Sequence, residues 1–207
     1  MKAKPVEASA DEAMFRLAVR GLEAGLAAQR AARTELTFDS EPPPRRLAPY
    51  AAAIAASVTD NGEDDNEIGW GKFVLLYDPA GQEGWAGQYR IIAYVRTELD
   101  PEIAADPMIS EVGWSWLIEA LDATAGGYGQ TSGTVTRVVT EGFGAKQDEP
   151  MSTGFELRAS WSPAAGEDEP PALEGHVAAW CDALCMAAGL PPLGVSALRP
   201  SRRRRQP

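Results

Sequence analysis

Reactive and metal-binding side chains are scarce in this sequence. Its 207 residues include one histidine and two cysteines. Any Ser–His–acid or Cys–His device would have to use His176 as its base. That residue stands in the first turn of the last predicted helix, where the positive helix end lowers an imidazole pKa. Cys181 follows five positions later, roughly 140° around a helix, so the two do not readily meet. Nothing resembles a nucleophile elbow. Cys181 and Cys185 share a helical face, and with His176 they fall one ligand short of a closed zinc site, which a carboxylate such as Asp182 would have to complete. Core packing of both thiols is the simpler reading. Without a CxxC spacing a redox role lacks its usual motif. No cofactor, metal or catalytic residue is expected.

Long apolar runs are also missing. No segment approaches the roughly 18 residues a membrane helix needs, and the N-terminus lacks a charged-then-apolar leader pattern. Two cysteines in so long a chain exclude a disulfide scaffold. The expectation is a cytoplasmic protein that does not engage a membrane. Phosphate and calcium loops are lacking as well: DPAGQEG has no following Lys-Ser/Thr, and the acidic cluster at 63–67 lacks the twelve-residue calcium pattern.

Acid is abundant. The net charge is −11, from 19 basic and 30 acidic residues. Arg199, Arg202, Arg203, Arg204 and Arg205 are five of those 19, so residues 1–198 keep 14 basic against 30 acidic groups, a net of −16. Such a body repels nucleic-acid phosphate and anionic lipid. Nucleic acid is therefore expected only through the arginines at 202–205, and a solvated tail is the plainer account of them. With 44% apolar residues the chain can bury a core. We expect a flexible N-terminus at 1–10, a single α+β domain at 11–192 and a flexible basic tail at 193–207.

Patterning then supplies the elements. Ser9 and Glu12 stand in capping-box spacing, and Phe15, Val19, Leu22 and Leu26 form one helical stripe. Gly21 and Gly25 lie beside that stripe, where close packing against a sheet is expected. Residues 40–49 read as a proline-rich connector. The segment at 50–59 suits either helix or strand, and is read as a strand pairing with GWGKFVLLYD. WAGQYRIIAYVRT alternates, with Trp85, Tyr89, Ile91 and Val95 on one side and Gln88, Arg90 and Arg96 on the other. A helix is expected at about 111–125, then a β-branched strand. FELRASWS follows, with Phe155, Leu157, Ala159 and Trp161 inward and Glu156, Arg158 and Ser160 outward. Leu173, Val177, Trp180 and Leu184 stripe the last helix, which Gly189 ends.

The fold expected is α+β: a single twisted antiparallel sheet of 4–5 strands with helices mainly on one face. A strand–strand–helix pseudo-repeat spans 69–125 and 130–189. With 50–59 as a strand, the element order also matches secretion-chaperone-like folds, an analogy that does not fix function. Arg90, Arg96 and Arg158 should share the face opposite the apolar one. Beside Tyr94 they would suit an anionic or planar ligand, unless acids such as Glu156 pair with them across strands. Trp114 and Trp116 differ by about 200° around a helix. Trp114 should therefore pack inward with Leu117, Ile118 and Leu121, leaving Trp116 as a candidate contact residue.

The runs RLAPYAAAIAA, FVLLYDPAGQEGWAGQYR, ELDPEIAADPMISEVGWSWLIEALDA, GTVTR, ELRASWSP and WCDALCMAAGLPP lie in order between about residues 47 and 192. Together they resemble an actinobacterial domain of unknown function, the one numbered three thousand. The resemblance implies a cytoplasmic protein of about this length and supplies no catalytic residues.

These observations lead first to a non-enzymatic module acting through a protein partner, as an adaptor or chaperone-like protein. A second reading is a small-molecule binder or enzyme using Arg90, Arg96 and Arg158. The weakest is RNA association through the tail.

Overall fold

A computed structural model describes residues 9–60, 66–166 and 169–193. The acidic cluster at 63–67 and both expected flexible ends therefore fall largely outside the described residues. The first helix, α1 (Ala10–Ala32), starts where Ser9 accepts the Glu12 N–H at 3.1 Å, the capping bond that its spacing foretells. Strands β1 (Leu36–Glu41), β2 (Tyr50–Thr59), β3 (Glu67–Tyr77) and β4 (Tyr89–Leu99) follow. A short α2 (Pro101–Ala104) and α3 (Ile109–Thr124) then lead to β5 (Tyr128–Thr140), β6 (Ser152–Pro163) and α4 (Glu174–Ala187).

Among the described residues six strands form one antiparallel sheet in the order β1-β2-β3-β4-β6-β5. The sheet has six strands against the 4–5 expected, the additional one being β1. The segment at 50–59 is the strand expected, pairing Tyr50 with Tyr77 and Val58 with Gly69. After β4 the chain runs through α2 and α3 to the sheet edge as β5, and β6 then fills the slot between β4 and β5. The order β3-β4-α3 followed by β5-β6-α4 reproduces the strand–strand–helix alternation.

Period-two alternation sorts the sheet into two faces. Phe73, Leu75, Ile91, Val95, Phe155, Leu157 and Trp161 turn to one side and meet α1, α3 and α4 in the main core. Complete burial of each large apolar side chain there contributes about 2 kcal/mol relative to exposure. Helix α4 lies over β3 and β4 and is flanked by α1 and α3. A Cβ at Gly71 would stand 3.1 Å from Trp180 Cζ2. With none there, the indole settles on the sheet and donates its N–H to the Tyr94 carbonyl at 3.2 Å.

Gly25 carries a correction. A Cβ there would lie 3.1 Å from Glu174 Cα and from Val177 Cβ. The small residues of α1 thus serve its crossing with α4, not with the sheet.

The opposite face carries no described helix. Its apolar content is small: Ala53, Val74 and Leu76 are buried there, with Ile92 and Trp85 packed against them. Trp85 belongs to the β3–β4 loop, so strand parity does not govern it, and it covers the face opposite the one expected.

Candidate functional site

Arg90 occupies the floor of this helix-free face. It pairs with Leu76 on β3, and its side chain points away from the core with the other even-numbered residues of β4. Only 9% of it is exposed. Its guanidinium is held by neutral oxygens: Nη1 donates to the Gln130 carbonyl at 2.8 Å and to Ser162 Oγ at 3.4 Å. Nη2 donates to Ser160 Oγ at 2.6 Å and Ser132 Oγ at 3.4 Å. Among the described residues no carboxylate lies within ion-pairing distance of Arg90. Burial lowers its pKa from arginine's ordinary value, as it does for any cation short of water.

The backbone supports this cage. β5 loses register between Gly129 and Ser132, and Gln130 there takes a left-handed φ of 52°. Such a conformation is uncommon for a residue with a Cβ and is kept only where neighbours enforce it. The irregularity turns the Gln130 carbonyl onto Arg90.

Above the guanidinium lies an open cavity of about 730 Å3. Apolar wall comes from Leu47, Leu76, Trp85 and Ile92, and hydroxyls from Ser132, Thr134 and Ser160. Ser160 Oγ accepts from Arg90, so its own hydrogen must go elsewhere, and Ser132 Oγ stands 3.3 Å away. Each hydroxyl has one hydrogen; only one of the two is used between them, so the pair retains one for an acceptor in the cavity.

The three arginines singled out from the sequence share a face but not a site. Arg158 lines the cavity with its side chain 66% exposed, bonded to Glu156 Oε2 at 3.2 Å and lying 5.4 Å over the Tyr94 ring. Arg96 is six residues from Arg90 along β4, about 20 Å, and lines a separate 280 Å3 cavity with Glu67, Trp70 and Glu98.

Of the tryptophan pair, Trp114 departs from its helical-wheel assignment, while Trp116 lies off the core as expected. Leu117 and Leu121 are buried as expected, whereas Trp114 and Trp116 are both half-buried. Trp114 lies over β5 at Gly133, where a Cβ would strike the ring. Trp116 tilts against Phe155 with 5.9 Å between ring centres. It also lines a groove of about 640 Å3 with Ile103, Ile109 and Val112.

His176 and the cysteines sit inside the core. His176 Nδ1 accepts the Trp161 indole N–H at 3.1 Å, and burial pushes its pKa down to about 4. Cys181 and Cys185 are free and buried; burial raises both thiols, Cys185 to about 12. Asp182, weighed as a fourth zinc ligand, instead binds Arg33 at 3.0 Å. Arg33 also donates to the Pro191 carbonyl at 3.2 Å. Among the described residues no three His, Cys, Asp or Glu side chains converge in a metal-holding arrangement, and no helix is long and apolar enough to cross a membrane.

Sequence parity indicated Arg90, Arg158 and Ser160. It did not reveal the β5 irregularity that adds Gln130 and Ser132, nor the loop that brings Trp85 across.

Fold and site together define an α+β protein with one open antiparallel sheet, helices on one face and an arginine-floored cavity on the other. The chain belongs to the family of proteins of unknown function DUF3000, whose model matches residues 11–196. No curated protein and no solved structure matches it.

Proposed function

We propose that the protein binds a small anionic ligand, a carboxylate with an apolar body, in the cavity over Arg90. One observation carries this reading: a charged side chain that is 9% exposed donates only to neutral oxygens, with Glu83 lining the same cavity but making no ion pair with it. Removing an ion from water costs several kcal/mol, and a counter-anion would offset that cost. The terminal amino groups of Arg90 already bond the serine cage, so the ligand's carboxylate would accept the one hydroxyl hydrogen that the Ser132–Ser160 pair retains, under the arginine's field. Its apolar body would lie on Trp85, Leu76 and Ile92.

Benzoate, phosphate and butyrate titrated against the full-length protein in a thermal-denaturation assay test this. At a concentration a hundred times Kd, benzoate should stabilise by about 2.7 kcal/mol, raising Tm by about 5–10 °C in a chain of this size. Phosphate, which lacks the apolar body, should shift it less. Equal benzoate shifts in the wild type and in Arg90→Lys would refute the reading.

The protein-partner reading keeps its own support in the groove beside Trp116, where Ile103 is 51% exposed and Val112 39%. An adaptor or chaperone-like role would use that surface. Two free, buried cysteines fit a reducing compartment, which favours a cytoplasmic location.

A further inference from the structure

We infer that the groove beside Trp116 is the docking site of the chain's own basic segment, residues 194–207. This is independent of the Arg90 reading, since the groove lies at the helical side, between α3, the end of β4 and the C-terminal end of α4. Its floor is apolar, from Ile103, Ile109, Val112 and Trp116. Its rim is acidic, carrying Glu98, Asp100, Glu102 and Asp106. Clustered apolar groups with a charged rim mark a surface that a complementary chain covers.

Residues 194–207 match both features. Val195 and Leu198 supply apolar side chains, and Arg199 with the arginines at 202–205 supplies five positive charges with no acid among them. Reach is sufficient. Gly189 lines the groove and Leu193 is four residues further on, at most about 14 Å away in extended chain. The segment beyond can return across the groove within a few more residues. Tethering also removes most of the association cost, because a short linker holds its end at an effective concentration in the millimolar range. Weak contacts then suffice, and the rim charges make them salt-sensitive.

Paramagnetic relaxation in the intact chain tests the assignment. A nitroxide at Ser201→Cys labels selectively, since Cys181 and Cys185 are buried. At low salt the label should broaden the amides of residues 102–116 and 186–189, and high salt should relieve the broadening. Replacing the arginines at 202–205 by glutamate leaves the folded body untouched and should abolish it, as should Glu98→Lys with Glu102→Lys. Broadening centred on another face, or none, overturns the proposal. So does broadening that appears only between a labelled and an isotope-labelled copy, which would assign the groove to a second molecule.

Discussion

Trp161 Nε1 donates its hydrogen to His176 Nδ1 across 3.1 Å in a part of the core where neither side chain exceeds 1% exposure. The bond fixes the neutral imidazole with its proton on Nε2. Protonating Nδ1 would set two donors face to face in an apolar site. This is why a lone histidine placed at the start of a helix is a packing residue here.

Acid should therefore destabilise the protein before its carboxylates titrate. The folded pKa of His176 is about 4 against 6.5 unfolded. Between those values the unfolded chain binds the extra proton, so stability falls as pH drops below 6.5. The loss should reach about 2 kcal/mol at pH 5. Urea unfolding from pH 7 to 5 measures it, and His176→Gln should flatten that slope whatever its absolute stability.

The two thiols should be silent in the native state. Burial raises both pKa values, Cys185 to about 12, so almost no thiolate exists at pH 8 and none is accessible. A chromogenic disulfide reagent should count no thiols in buffer and two in guanidinium chloride. Fast reaction of either under native conditions would contradict the packing described.

The sheet was legible because its strands keep strict alternation: FELRASWS assigned Trp161 to the core and Arg158 and Ser160 to the other face without structure. What escaped has physical causes. β1 carries only Leu36 and Phe38 on its inner side, too few to stand out before the proline-rich connector. Strand parity does not extend to Trp85, because Gly87 with a φ of 105° breaks the strand geometry between it and Tyr89. Helical angle alone does not place Trp114, because burial depends on which strand lies beneath, and α3 sits over the sheet-edge strand β5. Gln130 gave no signal, since an irregular register depends on the partner strand.

The junction between α3 and α4 should tolerate no added atom. Gly175 stands where a Cβ would strike the Thr124 carbonyl, and the Thr124 hydroxyl donates within 2.8 Å of the Gly175 carbonyl. Gly175→Ala should cost about 1–3 kcal/mol through overpacking, despite alanine's better helix propensity. Differential scanning calorimetry should show a lower Tm, and an unchanged or raised value would mean the helices shift apart freely.

Arg90→Met separates a binding arginine from a structural one. Four hydrogen bonds from a charged donor, each worth about 1.5–3 kcal/mol net when well aligned, would make a purely structural arginine cost several kcal/mol to remove. Against them stands the desolvation of a charge with no carboxylate beside it, also several kcal/mol. Methionine fills similar volume without that penalty, and Ser132 and Ser160 keep the bond they already make to each other. If the cation is kept for a ligand, the unliganded variant should unfold within about 1 kcal/mol of the wild type, or be more stable, as is common when a functional charge is removed. Its benzoate-dependent stabilisation should vanish. A variant several kcal/mol less stable, with the ligand response unchanged, would assign Arg90 to the scaffold alone.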